Sequence, residues 1–215
     1  MEKKFIGTII TNTRYLGVGK PILDILLLII LSPLLIILIF IISVILLVMN
    51  KGSVFFSQSR PGKNGVLFNL WKFRTFKELK DSAGNLLPDE AQVGGFRSFL
   101  RRSSLDELPQ VWNILNGEMS WIGPRPLLPE YLSLYTPEQN KRHLLKPGIT
   151  GWAQVNGRNA LTWESKFLFD LEYVRKVSLF FDLKILFLTL GHIIYPKGIN
   201  QEGKIGAERW KGNAL

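Results

Sequence analysis

Residues 25–49 read ILLLIILSPLLIILIFIISVILLVM, twenty-five positions without a charge. As a straight helix at ~1.5 Å per residue this run extends about 37 Å, more than the ~30 Å hydrocarbon thickness of a bilayer, so it belongs in a membrane. It is a poor signal peptide, being too long, starting after 24 residues and lacking a small-residue cleavage site behind it. Ser32-Pro33 interrupts the run. Pro33 has no N–H for the Ile29 carbonyl and its ring crowds the preceding turn, while the Ser32 hydroxyl can satisfy freed backbone groups, so a kink or break is expected there. Lys3, Lys4, Arg14 and Lys20 precede the run, and Lys51, Arg60, Lys63, Lys72 and Arg74 follow it, giving both flanks a cytoplasmic character. A re-entrant helix that enters and leaves on one face fits best. Lys20 and Asp24, four apart, are placed to pair at the membrane edge, with Pro21 tolerated in the first turn.

Two domains follow from this: residues 1–50 with the membrane helix, and residues 51–215 as one compact cytoplasmic unit. The 215 residues are 47% hydrophobic, with 14 Phe and 6 Trp, which excludes a disordered chain. Without Cys there is no thiolate nucleophile, disulfide or Cys-based zinc site, and two isolated His residues do not make a His-rich metal site. The 27 basic residues outnumber the 17 acidic ones by ten. Such an excess attracts anions: nucleic acid, lipid headgroups or phosphorylated substrates. The chain holds no G-x-x-x-x-G-K-[ST], G-x-G-x-x-G or H-E-x-x-H, so P-loop, dinucleotide and zincin chemistries lack support.

Val54–Ser57 and Leu67–Phe73 flank the turn-rich Pro61-Gly62-Lys63-Asn64-Gly65, which predicts a hairpin. Alternation in the second arm puts Lys72 and Arg74 on one face and Trp71 and Phe73 on the other. Asp81–Gly95 reads as a loop and Phe96–Arg102 as a short basic helix. Leu108, Val111, Trp112 and Leu115 have helical spacing, predicting one helix from the Ser104 region to Asn116-Gly117. Gly123-Pro124-Arg125-Pro126 is a stiff turn, Glu130–Leu145 a helix, and Lys146–Asn159 a long structured loop. Trp163–Ile194 reads as one helix that lies on a membrane surface or packs in the core. The expected fold is α+β: a re-entrant membrane helix and a mostly helical domain with a small β-hairpin and interfacial amphipathic helices.

The chemistry concentrates at Arg101-Arg102-Ser103-Ser104-Leu105-Asp106-Glu107. Ser104 and Glu107 satisfy the S-x-x-E capping box, in which Glu107 would do no more than tie down a helix start, although Pro109 disturbs that register. The functional alternative uses the same geometry: free N–H groups at a helix start bind phosphate and favour an ionised, nucleophilic Asp106. Neighbouring acids on a helix point about 100° apart, so separate roles suit them better than a shared proton. Asp106 could attack phosphorus while Glu107 holds Mg²⁺ against a diphosphate's charge. Lys72, Arg74, Arg101 and Arg125 could supply charge-assisted bonds to phosphate oxygens.

Four motifs then occur in order: Lys72-Phe73-Arg74-Thr75; Ser104-Leu105-Asp106-Glu107-Leu108-Pro109-Gln110; Met119 through Pro126; and Lys146 through Asn159. Together they resemble the bacterial sugar transferases, the monotopic polyprenyl-phosphate phosphoglycosyl transferases, over about Lys20 to Leu188. The resemblance implies a ping-pong reaction on the cytoplasmic face of the bacterial inner membrane. Asp106 matches the nucleophile that attacks the β-phosphate of a UDP-sugar and releases UMP, and polyprenyl phosphate, such as undecaprenyl phosphate, then takes the phosphosugar. Glu107 matches the Mg²⁺ ligand. Lys72, Arg74, Arg101, Pro124, Arg125 and Arg158 form the expected substrate-binding set, and Ser32-Pro33 matches the break of the family's re-entrant helix. Phe76, Glu118 and Pro21 depart from the usual pattern, the last at a basic position before the membrane helix. The chain lacks the multi-span N-terminal extension of larger members, and so looks like a minimal unit closest to the small bacillosaminyl-phosphate transferases. UDP-diacetylbacillosamine is then the implied donor, with a hexose-1-phosphate transferase of the same fold as the alternative. Membrane lipid and downstream glycosyltransferases are the other expected partners, and nucleic acid is not one. The competing class is a membrane-anchored adaptor that binds anions through Lys72, Arg74, Trp71 and Phe73; it has no need of Asp106 and Glu107.

Overall fold

The apolar run forms helix α1, Lys20–Met49, entered through a π-helical turn over Tyr15–Gly19. The computed structural model describes residues 12–76, 95–194 and 209–212; the loop expected at Asp81–Gly95 therefore lies almost wholly outside the described residues. Helix α1 continues through Pro33 rather than ending there. The reason is local: the Ser32 hydroxyl donates to the Ile29 carbonyl at 2.8 Å, occupying the acceptor that Pro33 leaves without an N–H. Most of the helix turns apolar side chains outward, Ile25, Ile29, Ile30, Ile36, Phe40 and Val48 among them. By length and composition it can cross a membrane.

Both ends of α1 are tied to the rest of the chain. At the start, the Lys20 Nζ lies 2.7 Å from Asp182 and 2.9 Å from the Tyr173 hydroxyl. Tyr15 and Tyr173 each donate to Asp182 as well. The expected Lys20–Asp24 pair does not form, because Asp182 is fully buried and would otherwise lack a countercharge. Asp24 instead accepts from the Ser120 hydroxyl and the Trp121 backbone N–H. At the far end, Ile42 and Leu46 pack on Phe73 and Leu100, and Arg97 donates to the Met49 carbonyl and the Asn50 side chain.

The predicted hairpin is present as β1, Phe55–Pro61, and β2, Leu67–Phe73, in antiparallel register from Phe55 opposite Phe73 to Pro61 opposite Leu67. Helix α2 covers Gly95–Arg102. The helix expected from Ser104 to Leu115 is divided into a 3-10 segment, Leu105–Gln110, and helix α3, Val111–Leu115. Pro109 lies in the 3-10 segment and cannot donate the i→i−4 bond of an α-helix.

The supposed loop and turn after it hide a second sheet, in which β3, Ser120–Ile122, pairs in parallel with β4, Gly148–Thr150. Backbones here approach too closely for side chains: a Cβ on Gly148 would lie 2.0 Å from the Gly123 nitrogen. The helix expected at Glu130–Leu145 is a 3-10 turn over Pro129–Ser133, helix α4 at Pro137–Asn140, and a second 3-10 turn over Lys141–Leu144. Pro137 restarts the helix behind a Thr136–Gln139 capping box. Helix α5 is Trp152–Val155.

Trp163–Ile194 is two helices, α6, Trp163–Lys176, and α7, Leu179–Ile194. Extended backbone at Val177 separates them, and the Ser178 hydroxyl accepts from the Phe181 N–H at 3.3 Å. Tyr173, Val174, Val177 and Ile185 form the main core with Ile122 and Leu145. Helix α7 buries Ile185, as the core alternative expects, while turning Phe180, 84% exposed, and Phe187, 77% exposed, outward with Leu183 and Leu190. Trp210 closes an aromatic cluster with Tyr131 and Phe167.

Candidate active site

The 3-10 segment Leu105–Gln110 starts from Ser104, whose φ is +57° and whose side chain caps nothing. The capping-box reading of Ser104 and Glu107 is therefore wrong. The Ser104 hydroxyl accepts from the Arg158 guanidinium at 3.2 Å. Glu107, 8% exposed, turns the other way and is held by two cations. Lys72 donates to its Oε1 at 2.8 Å, and Arg125 donates to both oxygens, at 3.1 Å on Oε2.

Strand β2 explains the first contact. Phe68 and Leu70 pack on Ile114 and Met119, and Lys72, next in the alternation, projects from that same face toward the 3-10 segment. The second contact depends on a pair that the sequence did not reveal. Arg142 and Asp170 form a buried ion pair at 2.7 Å, and Arg142 also donates to the Arg125 carbonyl at 2.7 Å, which fixes the backbone that carries the Arg125 guanidinium. Pro124 contributes backbone, its carbonyl accepting from Gly148.

The adjacent carboxylates behave oppositely. Burial alone would raise the Glu107 carboxyl, but the charges and hydrogen bonds of Arg125 and Lys72 outweigh it and hold the group far below the usual carboxylate range. Asp106 is pushed up to about 6, by burial first and then by the negative charge of Glu107, against Lys72, Arg125 and Arg101. Among the described residues nothing hydrogen-bonds the Asp106 carboxylate. The help that a helix start was expected to give the ionised form is outweighed by burial at this short 3-10 turn. At neutral pH the group is still mostly ionised.

Of the predicted residues, Asp106, Glu107, Lys72, Arg101, Arg125 and Arg158 come together. The Arg101 guanidinium lies 4.3 Å from the Phe76 ring centroid, and its Nη1 is buried without a partner. Arg74 leaves the group: it donates to Ser53 at 2.8 Å and does not touch Glu107. Two further cations sit close enough to Arg125 for each to be lowered by its charge, after burial: Arg60 and Lys166. Arg60 entered the sequence reading only as a flanking charge, and Lys166 not at all. No local pattern in the sequence marks either.

Among the described residues no group of three His, Cys, Asp or Glu side chains gathers to hold a metal. The two carboxylates suit Mg²⁺, which takes one or two of them when phosphate and water complete its shell. Glu107 has a lone pair left on Oε2, and Asp106 has both oxygens free.

A profile of the bacterial sugar transferase family matches residues 15–196. The chain belongs to the bacterial sugar transferases. This sugar transferase is 53% identical over 160 residues to EpsL, an uncharacterised sugar transferase of Bacillus subtilis, covering 74% of this chain and 79% of EpsL. It is 38% identical over 200 residues to the UDP-glucose:undecaprenyl-phosphate glucose-1-phosphate transferase of Xanthomonas campestris, covering 87% of this chain and 41% of that one. Identity to the exopolysaccharide production protein ExoY of Sinorhizobium fredii is 35% over 209 residues, 85% of this chain and 88% of ExoY. The sugar transferase thus spans less than half the length of the Xanthomonas relative and most of the length of EpsL and ExoY.

Proposed function

We propose that the chain moves a sugar 1-phosphate from a UDP-sugar to polyprenyl phosphate at the cytoplasmic face of the bacterial inner membrane. The observation that carries this reading is the split pair, an Asp106 carboxylate that accepts no hydrogen bond among the described residues beside a Glu107 locked between Lys72 and Arg125. An Asp106 oxygen bonds the β-phosphorus as the bridging P–O bond breaks, and UMP leaves with the electron pair. A phosphate oxygen of undecaprenyl phosphate then attacks the same phosphorus and returns the carboxylate. Lys72, Arg101 and Arg125 offset charge on the transferring phosphate, and Glu107 keeps two of them in place. Glu107, with Asp106 alongside, would hold Mg²⁺, which when bound would supply further neutralisation of the diphosphate. The lipid-linked product is a substrate for downstream glycosyltransferases.

The names of relatives support the reaction class and favour a hexose donor. The Xanthomonas relative and one of Escherichia coli are named UDP-glucose:undecaprenyl-phosphate glucose-1-phosphate transferases, and one of Erwinia amylovora a UDP-galactose-lipid carrier transferase. Diacetylbacillosamine has no counterpart in these names. The re-entrant topology draws support from α1, whose two ends both contact the same catalytic domain. A spanning helix would carry one end to the opposite side of the bilayer.

UMP release from protein in nanodiscs, with Mg²⁺, undecaprenyl phosphate and a panel of UDP-sugars, tests the proposal. Release with one donor, lost in Asp106→Asn, is expected. Release that survives Asp106→Asn sinks the covalent route, and folded protein that releases UMP from no donor sinks the reaction class.

A further inference from the structure

The aromatic cluster that Trp210 closes is joined to the candidate site through Arg125. Trp210 is 6% exposed, while Arg209 and Lys211 on either side are exposed, so the indole is the group that anchors this stretch. It stacks on Tyr135 with ring centroids 5.2 Å apart, and it meets Phe167 at 4.8 Å and Tyr131 edge to face at 5.5 Å. Its backbone N–H donates to the Tyr131 hydroxyl at 3.0 Å. Ring contacts of this kind bury a large apolar surface in a defined geometry. Trp210 lies outside residues 15–196, which the family profile matches, so membership of the family assigns it no role.

Two routes lead from this cluster to Arg125. The first runs along the chain: Leu127 and Leu128, two and three residues after Arg125, pack against the cluster, and Tyr131 belongs to the 3-10 turn that follows. The second passes through Arg142, whose guanidinium carbon lies 5.9 Å from the Tyr135 ring centroid and whose Nη2 donates to the Arg125 carbonyl at 2.7 Å. Asp170 holds the same guanidinium from α6, on the face it shares with Phe167 three residues earlier. Arg125 in turn donates to both Glu107 oxygens. We propose that Trp210 is a positioning residue for Arg125: by filling the space between Tyr131, Tyr135 and Phe167, the indole fixes the segment that aims the Arg125 guanidinium at Glu107 and at the transferring phosphate. The part played by the phosphate rests on the transfer reaction above. A smaller side chain at 210 leaves Leu127, Leu128 and Tyr135 without their packing partner, and the Arg125 backbone then loses its fixed support on both routes.

Trp210→Leu, Trp210→Phe and, as a packing control outside the cluster, Ile185→Ala, each made in the full chain and held in nanodiscs, test the assignment. Trp210→Leu should lower kcat for UMP release about ten- to a hundredfold, the scale of an ångström-level misplacement, with KM for the donor little changed. Trp210→Phe, a milder cut that keeps a ring in the cluster, should lose about threefold and serves where Trp210→Leu does not fold. Ile185→Ala should lower the unfolding midpoint without lowering kcat. Hydrogen exchange gives a readout free of catalysis: the Tyr131 and Leu134 amides, bonded to the Leu128 and Tyr131 carbonyls, should exchange faster in both Trp210 variants, and those of the β1–β2 hairpin should not. Wild-type kcat in the Trp210 variants, or a loss of kcat in Ile185→Ala as large as theirs, overturns the assignment. If the wild-type protein releases UMP from no donor, the transfer reaction fails, and exchange alone then decides whether Trp210 holds the Arg125 segment, unaltered rates refuting it.

Discussion

Two of the buried charge clusters among the described residues differ in whether their charges close. Around Asp182, Lys20 supplies the countercharge and Tyr15 and Tyr173 the remaining hydrogen bonds. Around Glu107, Lys72 and Arg125 overcompensate one carboxylate, and among the described residues Asp106 accepts no hydrogen bond and Arg101 and Arg158 form no ion pair with a carboxylate. A closed cluster is a joint. An open one, costly to keep in the absence of a ligand, is where the proposed reaction sets its polyanion and its nucleophile.

The sharpest way to break this contrast is to remove one acid from each cluster. Asp106→Asn should lower UMP release at least about a thousandfold, as loss of a covalent nucleophile does, with the thermal unfolding midpoint kept or raised. Asp182→Ala should do the reverse in kind, costing about 3–5 kcal/mol of stability by leaving Lys20 buried and unpaired, as read from unfolding in detergent. If Asp182→Ala unfolds no more readily than wild type, the joint is not one.

Proton linkage sharpens the difference further. Asp106 is raised in the folded state from its ordinary value to about 6, so the fold loses stability as pH rises between those values. Asp106→Asn should therefore gain unfolding temperature over wild type at pH 8, and the gain should vanish near pH 4. Glu107, held low, contributes in the opposite sense: its stabilisation is present above the ordinary glutamate value and fades as pH falls through the folded one. Turnover should fall with acidification below about 6, approaching tenfold per unit, as the Asp106 carboxylate protonates.

The smallest effect concerns topology. Single cysteines introduced as Lys3→Cys and Lys63→Cys into this Cys-free chain should label from the same side of sealed cells, with activity kept. Opposite-side labelling ends the re-entrant reading and leaves the charge clusters untouched.

Much of this was legible in the residue order. The apolar run and the hairpin speak through local periodicity, and Asp106 and Glu107 through a motif. Other features were out of reach because they are made by distant partners. Three-residue strands such as β3 and β4 are too short for alternation to register, and their glycines are demanded by a backbone that lies far away in the sequence. The apolar spacing of α6 and α7 continues on both sides of Val177, hiding the break there. The S-x-x-E pattern at Ser104 fits a cap and a site equally, and the pairing of Glu107 with Lys72 and Arg125 rules out the cap. Arg60 and Lys166 look like any surface cations until the fold half-buries them.

The joint at Asp182 also imposes an order on biogenesis. Lys20 leaves the ribosome 162 residues before its partner. At roughly 5–20 residues per second that is a wait of about 8–32 s. Through that interval Lys20 has no Asp182 to pair with. Synthesis of α7 supplies Asp182, so a helix made late in the chain anchors the start of the first one.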